Sequence, residues 1–334
     1  MLLVRVKLMQ KTSSIGVVVI GRNEGQRLIG CLQSLPEDVA GVVYVDSGST
    51  DDSVKHAKLA GAHVVELDLS IPFTAARARN AGFEALELCH DVELVQFVDG
   101  DCSLQPGWLE TARRFLSDNP DVAVVCGRRK EQHPDHSVYN RLCDWEWNTP
   151  IGEADACGGD SVMRISAFRD AGGFREDLIA GEEPELCVRL RSRRWKVWRL
   201  DADMTLHDAA MIRFSQWWRR SRRSGHAFAE GAYLHGSLAE RHNLDALRRI
   251  LIWGVFMPLA IILFSIAFSP WWAVAAVVYP TQLMRLSARY GIYRKGSWEI
   301  AFFLTLGKFP EAIGAVEFYW HRFRGVSPRL IEYK

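Results

Sequence analysis

Residues 250–284 contain no Asp, Glu, Lys, Arg or His. As one helix this run would be about 52 Å long, against roughly 30 Å for the hydrocarbon core of a bilayer. Ser269-Pro270 divides it into Ile250–Phe268, long enough to cross, and Trp271–Met284, shorter and with Pro280 near its end. The reading is a tight helical hairpin over about 250–288, whose second arm either crosses or re-enters. A helix pair buried in a soluble core is the competing reading. Arg248 and Arg249 precede the run, and Arg285, Arg289, Arg294 and Lys295 follow it. Both flanks therefore carry the charge that marks the cytosolic side. Trp253, Trp271 and Trp272 suit the interfacial belts, and a further segment over about 298–324 is expected to lie in the interface.

The formal charge of +1 argues against a general nucleic-acid binder, but it hides two unlike regions. From Arg249 onward ten Lys and Arg face four Asp and Glu, a net of +6, which leaves residues 1–248 at −5. The expected organisation is a catalytic domain over 1–235, a linker over 236–248 and a membrane-associated helical region over 249–334. Arg5 and Lys7 interrupt the apolar residues of Met1–Gln10, so no secretory signal is expected and the domain is assigned to the cytosol. The seven cysteines are spread without a CxxC pair, as reduced, packed thiols would be.

Short apolar runs at 17–20, 42–45, 64–67 and 94–98 alternate with helix-like stretches at 26–34 and 51–60. This is the pattern of an α/β fold with buried parallel strands. Ligands of such sheets bind outside the carboxyl ends of the strands. Those ends read Arg22-Asn23-Glu24, Asp46-Ser47-Gly48-Ser49-Thr50-Asp51 and Asp99-Gly100-Asp101. Each alone could be a turn or cap; together they describe a polar ligand held with a metal. Neither GxxxxGK[ST] nor GxGxxG is present, which argues against P-loop and dinucleotide sites. Two carboxylates one residue apart after an apolar strand suit Mg²⁺ or Mn²⁺ beside phosphate oxygens. Further on, Gly181-Glu182-Glu183-Pro184-Glu185 opens a helix and offers a general base, with helix capping as the plainer role.

The order of these motifs resembles the family 2 glycosyltransferases of GT-A fold. The likeness rests on Asn23-Glu24, Val45–Asp51, Ala76–Gly82, Asp99-Gly100-Asp101, Gly172-Gly173-Phe174 and Glu182-Glu183 with Arg189-Leu190, and spans roughly residues 14–230. The resemblance implies a Rossmann-like, mostly parallel sheet and an inverting transfer from a nucleotide-sugar donor. By position it places Asn23, Glu24, Asp46 and Arg77 at the nucleotide, with Asp46 at the base. Asp99 would hold the ribose or order the metal site, and Gly159 and Asp160 would lie by the donor sugar. Asp101 and His207 would bind the cation. Glu183 would be the base, although the family usually has Asp there, and Glu182 or Glu185 could act instead.

In Trp217–Gly225 four arginines occupy five successive positions, so one ligand cannot engage them all on a helix. Arg219 and Arg220 are expected at the diphosphate, and the remainder, with the tryptophans, at anionic lipid. The expected function is a membrane-anchored glycosyltransferase using a lipid-linked or envelope-glycan acceptor, with its domain on the cytosolic face of the cell (inner) membrane. A nucleotidyltransferase on a similar sheet and a catalytically silent nucleotide-binding scaffold are the alternatives. Arg128–Glu153 is expected on the acceptor side. Donor sugar, base and oligomeric state have no signal in the sequence.

Overall fold

The computed structural model describes residues 14–326; the expectation about Met1–Gln10 lies outside them. In chain order the elements are β1 (Ile15–Gly21), α1 (Gln26–Gln33), β2 (Gly41–Asp46), α2 (Ser53–Leu59), β3 (His63–Glu66), α3 (Ala75–Cys89), β4 (Leu94–Asp99), β5 (Cys102–Leu104), α4 (Trp108–Asp118), β6 (Val122–Glu131), α5 (Val138–Glu146), β7 (Gly152–Glu153), β8 (Ser161–Arg164), α6 (Ile165–Ala171), α7 (Glu182–Ser192), β9 (Lys196–His207), α8 (Phe214–His235), α9 (Leu244–Leu251), α10 (Met257–Ala267), α11 (Val278–Arg289), α12 (Ser297–Leu306) and α13 (Lys308–Arg324). One mixed sheet runs β3-β2-β1-β4-β8-β6-β9-β5, with β7 on β9. Its first four strands are parallel. β8 then runs antiparallel to both β4 and β6.

β1 is apolar throughout because helices cover both its faces. Val18 and Ile20 enter one core with Phe83 and Leu86 of α3, while Val17 and Val19 enter the other with Leu28 and Cys31 of α1. Gly82 allows α3 to lie this close, since a methyl group there would collide with Val18. Register then aligns Gly21 with Asp46 and Ile20 with Asp99, so the polar strand ends of β1, β2 and β4 share one edge.

The apolar run departs from a symmetric hairpin. α9, a π-helical turn at Ile252–Phe256 and α10 form one continuous helix, Leu244–Ala267, whose 18-residue apolar window has a mean hydropathy of 2.5 and is only 6% buried. Among the described residues it is the one helix long and apolar enough to cross a membrane. Beyond Ser269 the chain folds back as a 3₁₀ helix, Pro270–Val277, before α11. Trp272 packs on Phe264, and Tyr279 Oη donates to the Trp253 carbonyl at 2.9 Å. Pro270 and Pro280 each lack an amide proton, so the return strays from regular α-helix. Phe256, Leu263, Ile266, Phe268 and Trp271 are exposed, unlike the residues of a soluble core.

The expected boundary at residue 235 coincides with the end of α8, yet α8 packs into the tail. Ala229 shares a core with Leu247, Ile250, Ala312, Ala315 and Phe318. Gly225 and Gly314 let α8 and α13 touch backbone to backbone: a methyl at Gly314 would collide with the Arg222 carbonyl. Arg222 Nε pairs with Glu317 Oε2 at 2.7 Å across the same seam. Gly314→Val should therefore force the helices apart and cost about 1–3 kcal/mol, read as a lower Tm in detergent. An unchanged Tm would contradict this packing.

Candidate active site

The site begins where β4 ends. Gly100 donates its amide to the Ile20 carbonyl at 2.8 Å, turning the chain between Asp99 and Asp101. β5 then pairs antiparallel with β9, placing Cys102 opposite His207. His207 Nε2 consequently lies 3.3 Å from Asp101 Oδ1, with both side chains buried. Burial, followed by the nearby Arg129 cation, holds the His207 ring down to about 4, so it is neutral at physiological pH. Its Nδ1 is buried without a hydrogen-bond partner among the described residues. A neutral imidazole whose Nε2 faces a carboxylate is a donor set that Mn²⁺ or Mg²⁺ fits. Cys102 is next to it; burial raises its thiol well above the usual range, and a soft sulfur suits these oxygen-preferring cations less than a carboxylate does.

Two arginines, Arg79 buried and Arg129 half-buried, hold this acidic edge together. Arg79, from α3, reaches Asp99 Oδ1 at 2.8 Å and Glu182 Oε1 at 2.7 Å. Arg129, from β6, reaches Asp160 Oδ2 at 2.9 Å and lies 3.9 Å from Asp99. Burial acts most strongly against each charge and is outweighed by these carboxylates, so both remain protonated. Asp160 is fully buried and also accepts from the Asp99 amide and the Thr205 hydroxyl. It thus lies beneath the site, whereas the sequence places it beside the donor sugar. Gly159 is packed against Arg79, and any side chain there would press on the guanidinium.

Two more residues join Arg129 in the wall; all three lie in the Arg128–Glu153 stretch expected on the acceptor side, where none was named individually. Trp147 packs edge-on against His207 at 4.6 Å and under Arg129 at 5.5 Å. Buried Glu131 accepts from Asn140 and the His133 and Ala209 amides, joining α5 to the end of β9. Arg129 itself sits in the charged run Arg128-Arg129-Lys130, which reads as solvent-facing.

The nucleotide-side residues are gathered but play different local parts. Asp46 accepts from Gly48 N and Ser49 N at 2.9 and 2.8 Å and from Tyr44 Oη at 3.1 Å, so its carboxylate shapes the loop. Asn23 Oδ1 accepts from Thr50 N at 2.7 Å, while Glu24 pairs with Arg27. A cavity of about 250 Å³ opens beside them, lined by Arg22, Ser47, Gly48, Leu69, Phe73 and Arg77. Arg77 is anchored there by the carbonyls of Asp68 and Ile71. Arg220 pairs with Glu146 of α5 at 2.7 Å, and Arg219 lies exposed beside Phe214 and Trp218.

The helix N-terminus separates its three acids. Gly181 takes φ 82°, the left-handed turn that starts α7. Glu182 meets Arg79, and Glu185 is buried against Arg189 and His235 at 2.7 and 2.9 Å. Glu183 is buried against Cys157 and Cys187.

Residues 16–178 match the model of glycosyl transferase family 2. They form a glycosyltransferase domain of that family. The chain is 30% identical over 190 residues to a pre-mycofactocin glycosyltransferase of Mycobacterium tuberculosis, matching 52% of this chain and 38% of that protein. It is 24% identical to the glycosyltransferase AglE of Haloferax volcanii, matching 50% of this chain and 58% of that protein. The chain thus spans well under two thirds of these relatives. Its fold resembles that of a mannosyltransferase from Pyrobaculum calidifontis solved with GDP-Man and Mn²⁺, at TM-score 0.63 and 18% identity, over 94% of this chain and 89% of that one. The shared architecture therefore extends beyond the glycosyltransferase domain into the C-terminal helices.

Within this domain Arg79 is the bridge between the strand-end acids and α7. Arg79→Met should remove the cation that joins the half-buried carboxylates of Asp99 and Glu182 and cost about 1–3 kcal/mol in chemical denaturation. Near-normal stability would show that the bridge is dispensable.

Proposed function

We propose that this protein is an inverting, divalent-metal-dependent glycosyltransferase that uses a nucleotide-diphosphate sugar and a lipid-linked or envelope-glycan acceptor. The observation that carries the reading is Arg79, whose single guanidinium ties Asp99, next to the Asp101–His207 pair, to Glu182 at the start of α7. The acids at the end of β4 are thereby tied to the start of α7, the helix that carries Glu183. The mannosyltransferase of like fold, solved with a nucleotide sugar and Mn²⁺, supports the donor class and the metal.

In this reading Asp101 and His207, with Asp99 beside them, would hold the cation, which supplies positive charge to the departing diphosphate. The cavity lined by Ser47, Gly48 and Arg77 receives the nucleotide. Glu183 accepts the acceptor hydroxyl's proton as that oxygen attacks the anomeric carbon, because such a hydroxyl does not ionise at neutral pH. Glu182 and Glu185 are less suited, being committed to Arg79 and to Arg189 with His235. The outward-facing apolar helix and its arginine flanks support attachment to the cell (inner) membrane, with this domain on the cytosolic face. A cleft of about 300 Å³ between α5 and the α11–α12 loop, lined by Arg141, Trp145, Tyr290, Arg294 and Lys295, offers an acceptor approach on that side.

The test screens the full-length protein in detergent against nucleotide sugars with Mg²⁺ or Mn²⁺. Glu183→Gln should reduce turnover about 10²- to 10⁴-fold while leaving donor affinity nearly intact. Asp101→Asn should lose Mn²⁺-dependent nucleotide binding. A Glu183→Gln enzyme with normal turnover would remove Glu183 from its role, and failure to bind any nucleotide sugar would sink the whole reading.

A further inference from the structure

Glu183 is held in an unusual way. Its Oε1 accepts from the backbone amide of Cys157 at 2.5 Å, from Cys157 Sγ at 3.0 Å and from Cys187 Sγ at 3.1 Å. The two sulfurs are 3.8 Å apart, and all three residues are buried. Oε2 takes no hydrogen bond from any described residue. One carboxylate oxygen is therefore clamped by three donors while the other is left for a proton.

The elements explain the convergence. Cys187 lies one helical turn beyond Glu183 on α7, so both side chains face the same side. Cys157 precedes Gly158, whose φ of 79° turns the chain back toward the Asp99 edge. Burial raises the Cys157 thiol well above its ordinary range. Cys187 is raised to about 11, its bond with Cys157 pulling it down and burial pushing it up. Both are thus protonated at neutral pH and able to donate. A carboxylate with a single anchored oxygen keeps a fixed direction for the other.

We infer that Cys157 and Cys187 are positioning residues of the transfer reaction, acting as paired S–H donors that orient the Glu183 carboxylate for proton acceptance. This rests on the assignment of Glu183 as base. The pair would influence the chemical step without touching either substrate.

The experiment compares Cys157→Ala, Cys187→Ala, the two corresponding Ser variants and Glu183→Gln in the full-length protein, recording kcat, both KM values and Tm. Each Ala variant should lower kcat about 10-fold, the scale of a lost hydrogen bond to a charged group, with both KM values within about 2-fold. Ser, which keeps a donor, should recover most of kcat. In the Glu183→Gln background the Ala substitutions should add little. Unchanged kcat in both Ala variants, with Glu183→Gln inactive, would overturn the inference and leave the base assignment standing. An active Glu183→Gln would overturn the assignment itself. An equivalent of zinc in the wild type, absent from the Ser variants, would also overturn it, since the thiols would then be ligands.

Discussion

The structure depends on the pairing of buried charge. Asp99, Asp160 and Glu182 are joined by Arg79 and Arg129 at a partly buried sheet edge, with Asp101 two residues beyond Asp99. Four carboxylates around two guanidiniums leave an excess of negative charge, to which the neutral His207 adds no cation of its own. That local imbalance is what a divalent ion corrects. The same arginines set the distance between the strand-end acids and α7. Breaking either would expose the desolvation cost that the pairs offset.

The second constraint lies in the helices. α8 packs closely against α13 through Gly225 and Gly314, and Trp217 of α8 packs on Phe303 of α12. Arg141 of α5 also meets Glu299 of α12 at 3.2 Å. The catalytic domain is thereby fastened to the tail at several points. An apolar helix seated in a bilayer would hold the sheet edge at a defined height above the lipid.

Much of the fold was legible because fully buried parallel strands leave no choice of face. Runs such as Val17–Ile20 and Leu94–Val98 must be covered on both sides, and helices are what the connecting segments can supply. β6 and β9 were not legible. They carry Arg128-Arg129-Lys130 and Arg199–Asp203, whose charges interrupt strands that are buried on either side of them. Arg129 enters the site only because the β6–β9 register sets it beside Thr205, next to Asp160. Arg79 stood within a quoted motif, but helical spacing alone cannot say which of its arginines turns inward. Asp46 was found and its local task was not, since an acid at a strand end reads the same whether it faces a ligand or its own loop.

The sequence by itself determined the class of fold, the edge that bears the acids and the length of apolar chain that seeks a non-aqueous surrounding. These follow from local rules: burial periodicity, turn chemistry and the solvation of charge. Only the tertiary structure decided which acids are structural and which remain available. Asp160 went beneath the site, Glu185 to Arg189 and His235, and Glu183 to two cysteines distant in sequence from each other. A carboxylate's role depends on which donors reach it, and those donors come from strands and helices brought together by packing.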